Sequence, residues 1–413
     1  MRWDVGLGIV LAVGVVLLLA VSIEAAGNPP RATPPPCTNC VVGTISTGTG
    51  TGSAGSDIVY DAANGHLFVS SSEWGSWGMT VINGTTDTVV RNVSDSGRPF
   101  ALAYDARNGD IYLANGVGDN VTVYDGATGA LEASIALPPQ AVYGGPLQIV
   151  YDPFNGFLDV VQSAPEGLVL IDGSTNQVVT TVNFSVSDGV IAANSINGEL
   201  YAASAGEPYT NFYLVALNGS TGTELSSYVL NGTPEAITFD EGNGHVYVVA
   251  WQAGIGEYEN ATVTEMNDAV TGVEATLQDG LLPDAIAYDS SNENLYLTNY
   301  YAASVSIVNA STLALAGSIS TGGGPEATAY DAMNRCLYTV HLEGLVSILA
   351  PPGSSCPALP VWAFDSPLVL TAGAFVGLVM AGTVFHSWMV RKEQRLALEL
   401  EDGAHRGPPG SHG

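Results

Sequence analysis

Apolar and polar residues alternate along most of this chain with a period of two, in short runs such as ALAYD (101–105), DIYLAN (110–115), VTVYD (121–125) and LEASIAL (131–137). Side chains of a strand point to opposite faces in turn, so this period predicts half-buried β-strands. Gly, Asn and Asp break the runs apart, and no helical period intervenes between residues 41 and 350.

One phrase keeps returning. YDAANGHLFV (60–69) comes back as YDARNGDIYL (104–113), YDPFNGFLDV (151–160), FDEGNGHVYV (239–248), YDSSNENLYL (288–297) and YDAMNRCLYT (330–339), with a degenerate copy NSINGELYAA at 194–203. With Ser195 taken as the counterpart of the Asp in the degenerate copy, the spacings run from 42 to 49 residues. That is the range of propeller blades and related arrays. Each unit holds four short strands, A to D, so the expected fold class is all-β, a seven-bladed β-propeller. Within the phrase, Tyr-Asp ends strand A, Asn-Gly forms a tight turn, and the following apolar run opens strand B. The Asp then has a structural task, accepting loop amides in an Asx-type turn, and the Tyr ring packs between sheets.

The last unit lacks a strand D after GLVSILA (344–350), and the missing piece lies at the other end of the chain. VVGTISTGTGTGSAGSDIVYD (41–61) matches LAGSISTGGGPEATAYD (315–331), a strand D leading into a strand A. The N-terminal segment is therefore expected to complete blade seven and close the ring, removing the open sheet edges. Cys37 and Cys40 precede this borrowed strand, Cys336 opens strand B and Cys356 follows strand C. All four are expected at one end of blade seven, in two disulfides that lock the ring, with three pairings open.

LYLTNYYAASVSIVNASTLALAGSISTGGGPEA (295–327) resembles the units of the YVTN-repeat propeller proteins. The likeness runs over about 41–350. It is weakest in blades three and four, where Asp159 stands for the usual Tyr and Asn194-Ser195 for Tyr-Asp. The resemblance implies a secreted or envelope-associated propeller and no particular activity.

The flanking segments set the expected location. Residues 1–26 read as a signal peptide or signal anchor, 27–40 as a Pro-rich linker with the Cys pair, and 351–367 as a second linker. Residues 368–390 form an apolar run long enough to span a bilayer as a helix. The basic RKEQR that follows marks the tail 391–413 as cytoplasmic, which puts the propeller outside the cell. Sequons starting at Asn83, Asn92, Asn120, Asn183, Asn218, Asn231, Asn260 and Asn309 are candidate glycosylation sites in that setting.

Charge removes one class of partner. With 40 acidic against 10 basic residues the net charge is −30, so the chain lacks the cationic footprint that nucleic acid requires. No H-E-x-x-H or G-x-S-x-G motif is present, so no catalytic residues are assigned. The aromatic residues Trp74, Trp77, Tyr209, Trp251, Tyr258, Tyr300 and Tyr301 concentrate in the B–C loops, on the face opposite the chain ends. They are the candidate platforms for a cell-surface glycan or protein. Glu235, Asp284 and Glu326 share one position at the entry of strand A in three consecutive blades, and are expected to line the channel mouth as a Ca²⁺ site. The sequence thus points to a non-catalytic, membrane-anchored binding or adhesion module. A structural envelope component is the alternative, and a lactonase-like or quinone-dependent propeller enzyme a second one, on fold analogy.

Overall fold

Seven four-stranded antiparallel sheets make up the computed structural model of the protein. It describes residues 39–48, 57–72, 78–138, 145–163, 166–183, 190–206, 211–253, 258–278, 281–352, 354 and 356. The described residues contain no helix. The flanking segments 1–38 and 357–413, Cys37 among them, lie outside that set, as do both apolar runs read as membrane segments. No helix among the described residues is long and apolar enough to cross a membrane.

Six blades are built from consecutive strands, and the seventh borrows its outer strand. Cys40–Ser46 pairs antiparallel with Leu345–Ala350, which continues to Cys336–His341 and Pro325–Asp331. The expected closure is therefore present. Strands B and C are buried along nearly their whole length, while strand D alternates exposed and half-buried positions, as in Thr88–Ser94. This division follows from position: B and C are covered by neighbouring blades on both faces, and D is the rim. The strands A of blades two, three, five and seven each carry a bulge just after a proline, at Pro99, Pro146, Pro234 and Pro325. Proline has no amide to give to a ladder, so it belongs where pairing is interrupted.

The repeated phrase works as a joint between blades. The Asp at its centre is buried in every copy that has one, and its Oδ1 accepts the amide two residues on, as Asp61 does from Ala63 and Asp331 from Met333, both at 2.8 Å. In blade four this role falls to Asn194, which accepts from Ile196 at 2.9 Å, and not to Ser195. Counting back from Asn197-Gly198 gives that register directly. The turn also differs from the two-residue hairpin expected. It spans four residues, with the Gly amide donating to the Asp carbonyl, and only the Gly is left-handed, as at Gly65 (φ 73°). Glu293 and Arg335 hold the same conformation without being glycine, at φ 57° and 60°.

Both tyrosines of the unit reach a neighbouring blade. The strand-A hydroxyl faces the phrase Asp of the preceding blade: Tyr60 toward Asp331, Tyr104 toward Asp61, Tyr151 toward Asp105, Tyr288 toward Asp240 and Tyr330 toward Asp289. For Tyr60 and Tyr151 the approach is looser than a full hydrogen bond. The strand-B tyrosines are fully buried, and three clasp the C–D turn of the next blade. Tyr112 donates to the Gly173 carbonyl at 3.0 Å, Tyr247 to Ala310 at 2.9 Å and Tyr338 to Gly84 at 3.0 Å. Beside each of these the turn Asn of the phrase donates to the hydroxyl, for instance Asn334 to Tyr338 at 2.8 Å.

The cysteines correct one expectation. Cys336 pairs with Cys356, a link within one 20-residue stretch of blade seven that does not cross to the borrowed strand. Cys40 is also disulfide-bonded. The seam between the ends of the chain is held by the β-ladder of Cys40–Ser46 on Leu345–Ala350. Strand pairing brings Cys336 and Ala350 to the end of the blade where the A–B turns lie.

Candidate functional site

The face carrying the B–C and D–A connections holds an open cleft of about 600 Å³ between blades four and five. Asn211 and Phe212 open strand C of blade four and form one wall. Val229 and Leu230 end its strand D, and the crossing Asn231–Thr233 forms the floor before blade five begins. Trp251 and Gln252, near the end of strand B of blade five, form the other wall. Gly232 (φ 122°) lets that crossing lie against the Trp251 backbone, where a Cβ would come within 2.4 Å of the carbonyl oxygen.

Trp251 is fixed in place. It is 7% exposed, and its indole donates to the Pro283 carbonyl at 2.8 Å, tying blade five to the entry of blade six. Tyr301 packs near it with ring centroids 6.3 Å apart, and Tyr300 meets Tyr301 edge-on at 5.3 Å. Tyr301 is the exposed member, at 60%. Tyr300 is half-buried over Gly324, and burial, with the charges of Glu326 and Tyr301 nearby, pushes its hydroxyl up to about 12. The structure thus brings together Trp251, Tyr300 and Tyr301, with Trp251 acting mainly as an inter-blade wedge. Trp74, Trp77 and Tyr209 lie outside the described residues. Tyr258 begins strand C of blade five, and its side chain is outside them too.

The cleft adds groups that sequence reading passed over. Asn211, Asn231 and Gln252 carry side-chain amides, Thr233 a hydroxyl, and Phe212 and Trp251 apolar rings. Gln252 is oriented by donating to the Thr262 hydroxyl at 2.7 Å. Phe212 and Asn211 follow directly on the loop that was noticed only for Tyr209.

The channel-mouth acids do not assemble. No three His, Cys, Asp or Glu side chains among the described residues converge on a point that could hold a metal, and Glu235, Asp284 and Glu326 are all described. Glu235 and Glu326 sit at bulges two blades apart, while Asp284 Oδ2 accepts the Tyr300 amide at 3.0 Å. The histidines are also separate. His245 Nδ1 lies 2.7 Å from Glu265 Oε1. His66 is pulled below its usual range by burial and by Arg91. His341 is buried in blade seven, with Nε2 2.8 Å from the Ser347 hydroxyl.

The sequon asparagines divide by location. Asn92, Asn183, Asn231 and Asn260 are exposed. Asn83, Asn218 and Asn309 are half-buried and cap C–D turns, as Asn309 does by accepting the Thr312 amide at 3.1 Å. Asn120 is half-buried and donates to Ser134 at 2.8 Å.

Seven closed blades with a loop cleft on one face define the class: this is a seven-bladed β-propeller. Among solved structures it is similar to Kuenenia stuttgartiensis hydrazine synthase, with a TM-score of 0.63 and 16% identity over 74% of this chain and 98% of that one. It is also similar to the β-propeller domain of Myceliophteria thermophila Cps50 (Swd1), with a TM-score of 0.59 and 13% identity over 75% and 98%. Identities this low speak to the fold alone. No family model matches the chain, and no curated protein matches it.

Proposed function

We propose that the protein is a non-catalytic binding propeller of the YVTN-repeat type, displayed at the cell surface and anchored through residues 368–390, with a glycan as its ligand. The observation that carries this reading is the cleft between blades four and five. Fixed rings on its walls and side-chain amides around them supply the two contacts that sugars use, an apolar ring face and paired donors and acceptors. The excess of acidic residues favours a neutral or cationic ligand over an anionic one.

The test is a glycan array probed with the full-length protein in detergent. Binding that falls tenfold or more in Gln252→Ala and Asn211→Ala supports the reading; no binding to any glycan overturns it. Carbonate extraction of membranes tests the anchor, because a protein released into the supernatant has no spanning segment.

A second reading, a lattice subunit of the envelope, draws on the rim of the propeller. Val90, Leu131, Val179, Leu225, Val273 and Leu315 are exposed on the outer strands of six blades, a repeated apolar surface suited to lateral packing against other copies. Ordered arrays in electron micrographs of membranes carrying the protein, without glycan binding, favour that reading over the first.

A further inference from the structure

The joint between blades three and four lacks both tyrosines of the repeat, with no aromatic ring at either position. Strand B of blade three carries Asp159 where blades two, five and seven carry the clasping Tyr112, Tyr247 and Tyr338. Strand A of blade four carries Ala193 where a Tyr hydroxyl would face Asp152. Two phenol groups are thus missing from one inter-blade space, and a carboxylate has been put in.

That space is polar and unsatisfied. Asp159 is fully buried, and neither of its carboxylate oxygens has a hydrogen-bond partner. Asp152 is fully buried as well, with Oδ1 accepting the Phe154 amide at 2.8 Å and Oδ2 left without a partner. Asn155, whose counterpart in blade two donates to a tyrosine and a carbonyl, has an unpartnered Nδ2. Asp152 Oδ2 and Asn155 Nδ2 meet at Gly219, lying 3.2 and 3.3 Å from where its Cβ would stand. Gly219 is the blade-four counterpart of Gly84 and Gly173, whose carbonyls accept the clasping hydroxyls.

A buried polar atom without a partner costs free energy, and buried carboxylates cost most. The two carboxylates act on each other through their charge, with no donor on either Asp159 oxygen to offset it. The nearby Arg107 favours the Asp152 anion through its charge alone, since its guanidinium donates to the Pro153 and Phe154 carbonyls at 2.6 and 3.0 Å and to neither carboxylate. Burial, with the charge of Asp152 added, pushes the Asp159 carboxyl well above the carboxylate range, a sign of how poorly the site tolerates two anions alone. Two buried acids with unpartnered oxygens, one of them beside Gly219, form the oxygen-rich setting that a hard divalent ion uses.

We propose that the joint between blades three and four binds one divalent cation of the Ca²⁺ class, ligated by Asp159 and Asp152 Oδ2 with the Gly219 carbonyl and water. The ion replaces the missing tyrosine clasp as a polar link between these blades, in addition to the Ile191 amide that donates to Gln148 at 2.9 Å. Asn155 Nδ2 is a donor, and it holds a carboxylate or water oxygen of the site. This acid pair is separate from the channel-mouth acids Glu235, Asp284 and Glu326.

The experiment is metal analysis and thermal unfolding of the full-length protein, with Ca²⁺ and Mg²⁺ as the probes. About one Ca²⁺ per chain is expected, together with a fall in Tm of about 5 °C on chelation that millimolar CaCl₂ restores. Asp159→Tyr, which brings back the residue of the other blades, abolishes both effects. Asp159→Asn, which keeps the volume and removes one charge, weakens Ca²⁺ at least tenfold and covers the case in which the Tyr variant does not fold. The proposal is overturned if Ca²⁺ and Mg²⁺ leave Tm unchanged and no metal is carried. It is also overturned if Asp159→Asn binds Ca²⁺ as the parent does, or if Glu326→Gln and not Asp159→Asn removes the ion.

Discussion

Two desolvated groups pull the acid stability of this propeller in opposite directions. His341 is pushed down from 6.5 to about 4 by burial, with Nδ1 facing the Gly323–Gly324 backbone. Asp57 is half-buried, and desolvation pushes it up from 3.8 to about 6, against the lowering effect of the Leu102 and Ile58 amides that it accepts. For His341 the unfolded chain takes the proton first, so stability is lost as pH falls from 6.5 toward 4. For Asp57 the folded chain takes it first, so stability rises as pH falls through 6 toward 3.8. At 1.36 kcal/mol per unit, each contributes about 3 kcal/mol across its window, and the two nearly cancel between pH 7 and pH 4. Single variants unmask them. Denaturant melts at pH 7, 6, 5 and 4 are expected to show His341→Gln gaining on the parent by about 3 kcal/mol toward acid. Asp57→Asn is expected to lose a similar amount. Packing changes shift a whole curve and leave its slope alone, so the slope is the readout. Curves for both variants parallel to the parent would refute the reasoning.

Three further outcomes follow from the joints and the seam. Tyr338→Phe strands the half-buried Asp87, whose Oδ1 lies 2.6 Å from the hydroxyl, and should cost about 2 kcal/mol in denaturant melts. Glu293→Gly relieves a left-handed residue and should add about 1 kcal/mol of stability, whereas a loss would show that the turn is not strained. Deleting residues 40–46 bares the edge of Leu345–Ala350 and should leave the protein aggregated on size exclusion, while Cys356→Ala, which opens only a 20-residue loop, should cost about 3 kcal/mol and keep it monodisperse.

Sequence periodicity was enough to count the blades and find the borrowed strand, because strand alternation and turn residues are local signals. The Asx role of the repeated Asp was legible for the same reason, since its acceptor geometry is set within three residues. What lay between blades was not. Nothing around Tyr60 in the chain points to Asp331, which reaches it only through ring closure. The Cys336–Cys356 pairing needed the strand register, and Trp251 reads as a loop aromatic until the carbonyl of Pro283 is seen to hold its indole. Asn194 was misplaced by one position because the degenerate unit was aligned on its missing Tyr-Asp instead of on its surviving Asn-Gly. Asp159 was visible as a departure from the repeat, but its two orphaned oxygens depend on the absence of Tyr at Ala193, some thirty residues away.

The distribution of inter-blade tyrosines gives the ring an uneven circumference. Blade four faces Asp159 and Ala193 on one side, and on the other Phe239 replaces the strand-A tyrosine while Tyr201 turns back to its own Asn194. Apolar clusters hold it on both sides, Leu168 with Leu200 and Leu214 with Val248 among them, and Gln148 accepts the Ile191 amide while Ser195 and Ser226 donate to Glu241 and Ala269, but no tyrosine hydroxyl clasps it to blade three or five. Blade four also supplies Phe212 and Leu230 to the cleft. One jaw of the cleft thus rides on the sector of the wheel that lacks the buried tyrosine clasps. Amide exchange should therefore begin there, and the width of the cleft is set by a blade that a ligand, or an ion at the neighbouring joint, is able to tighten.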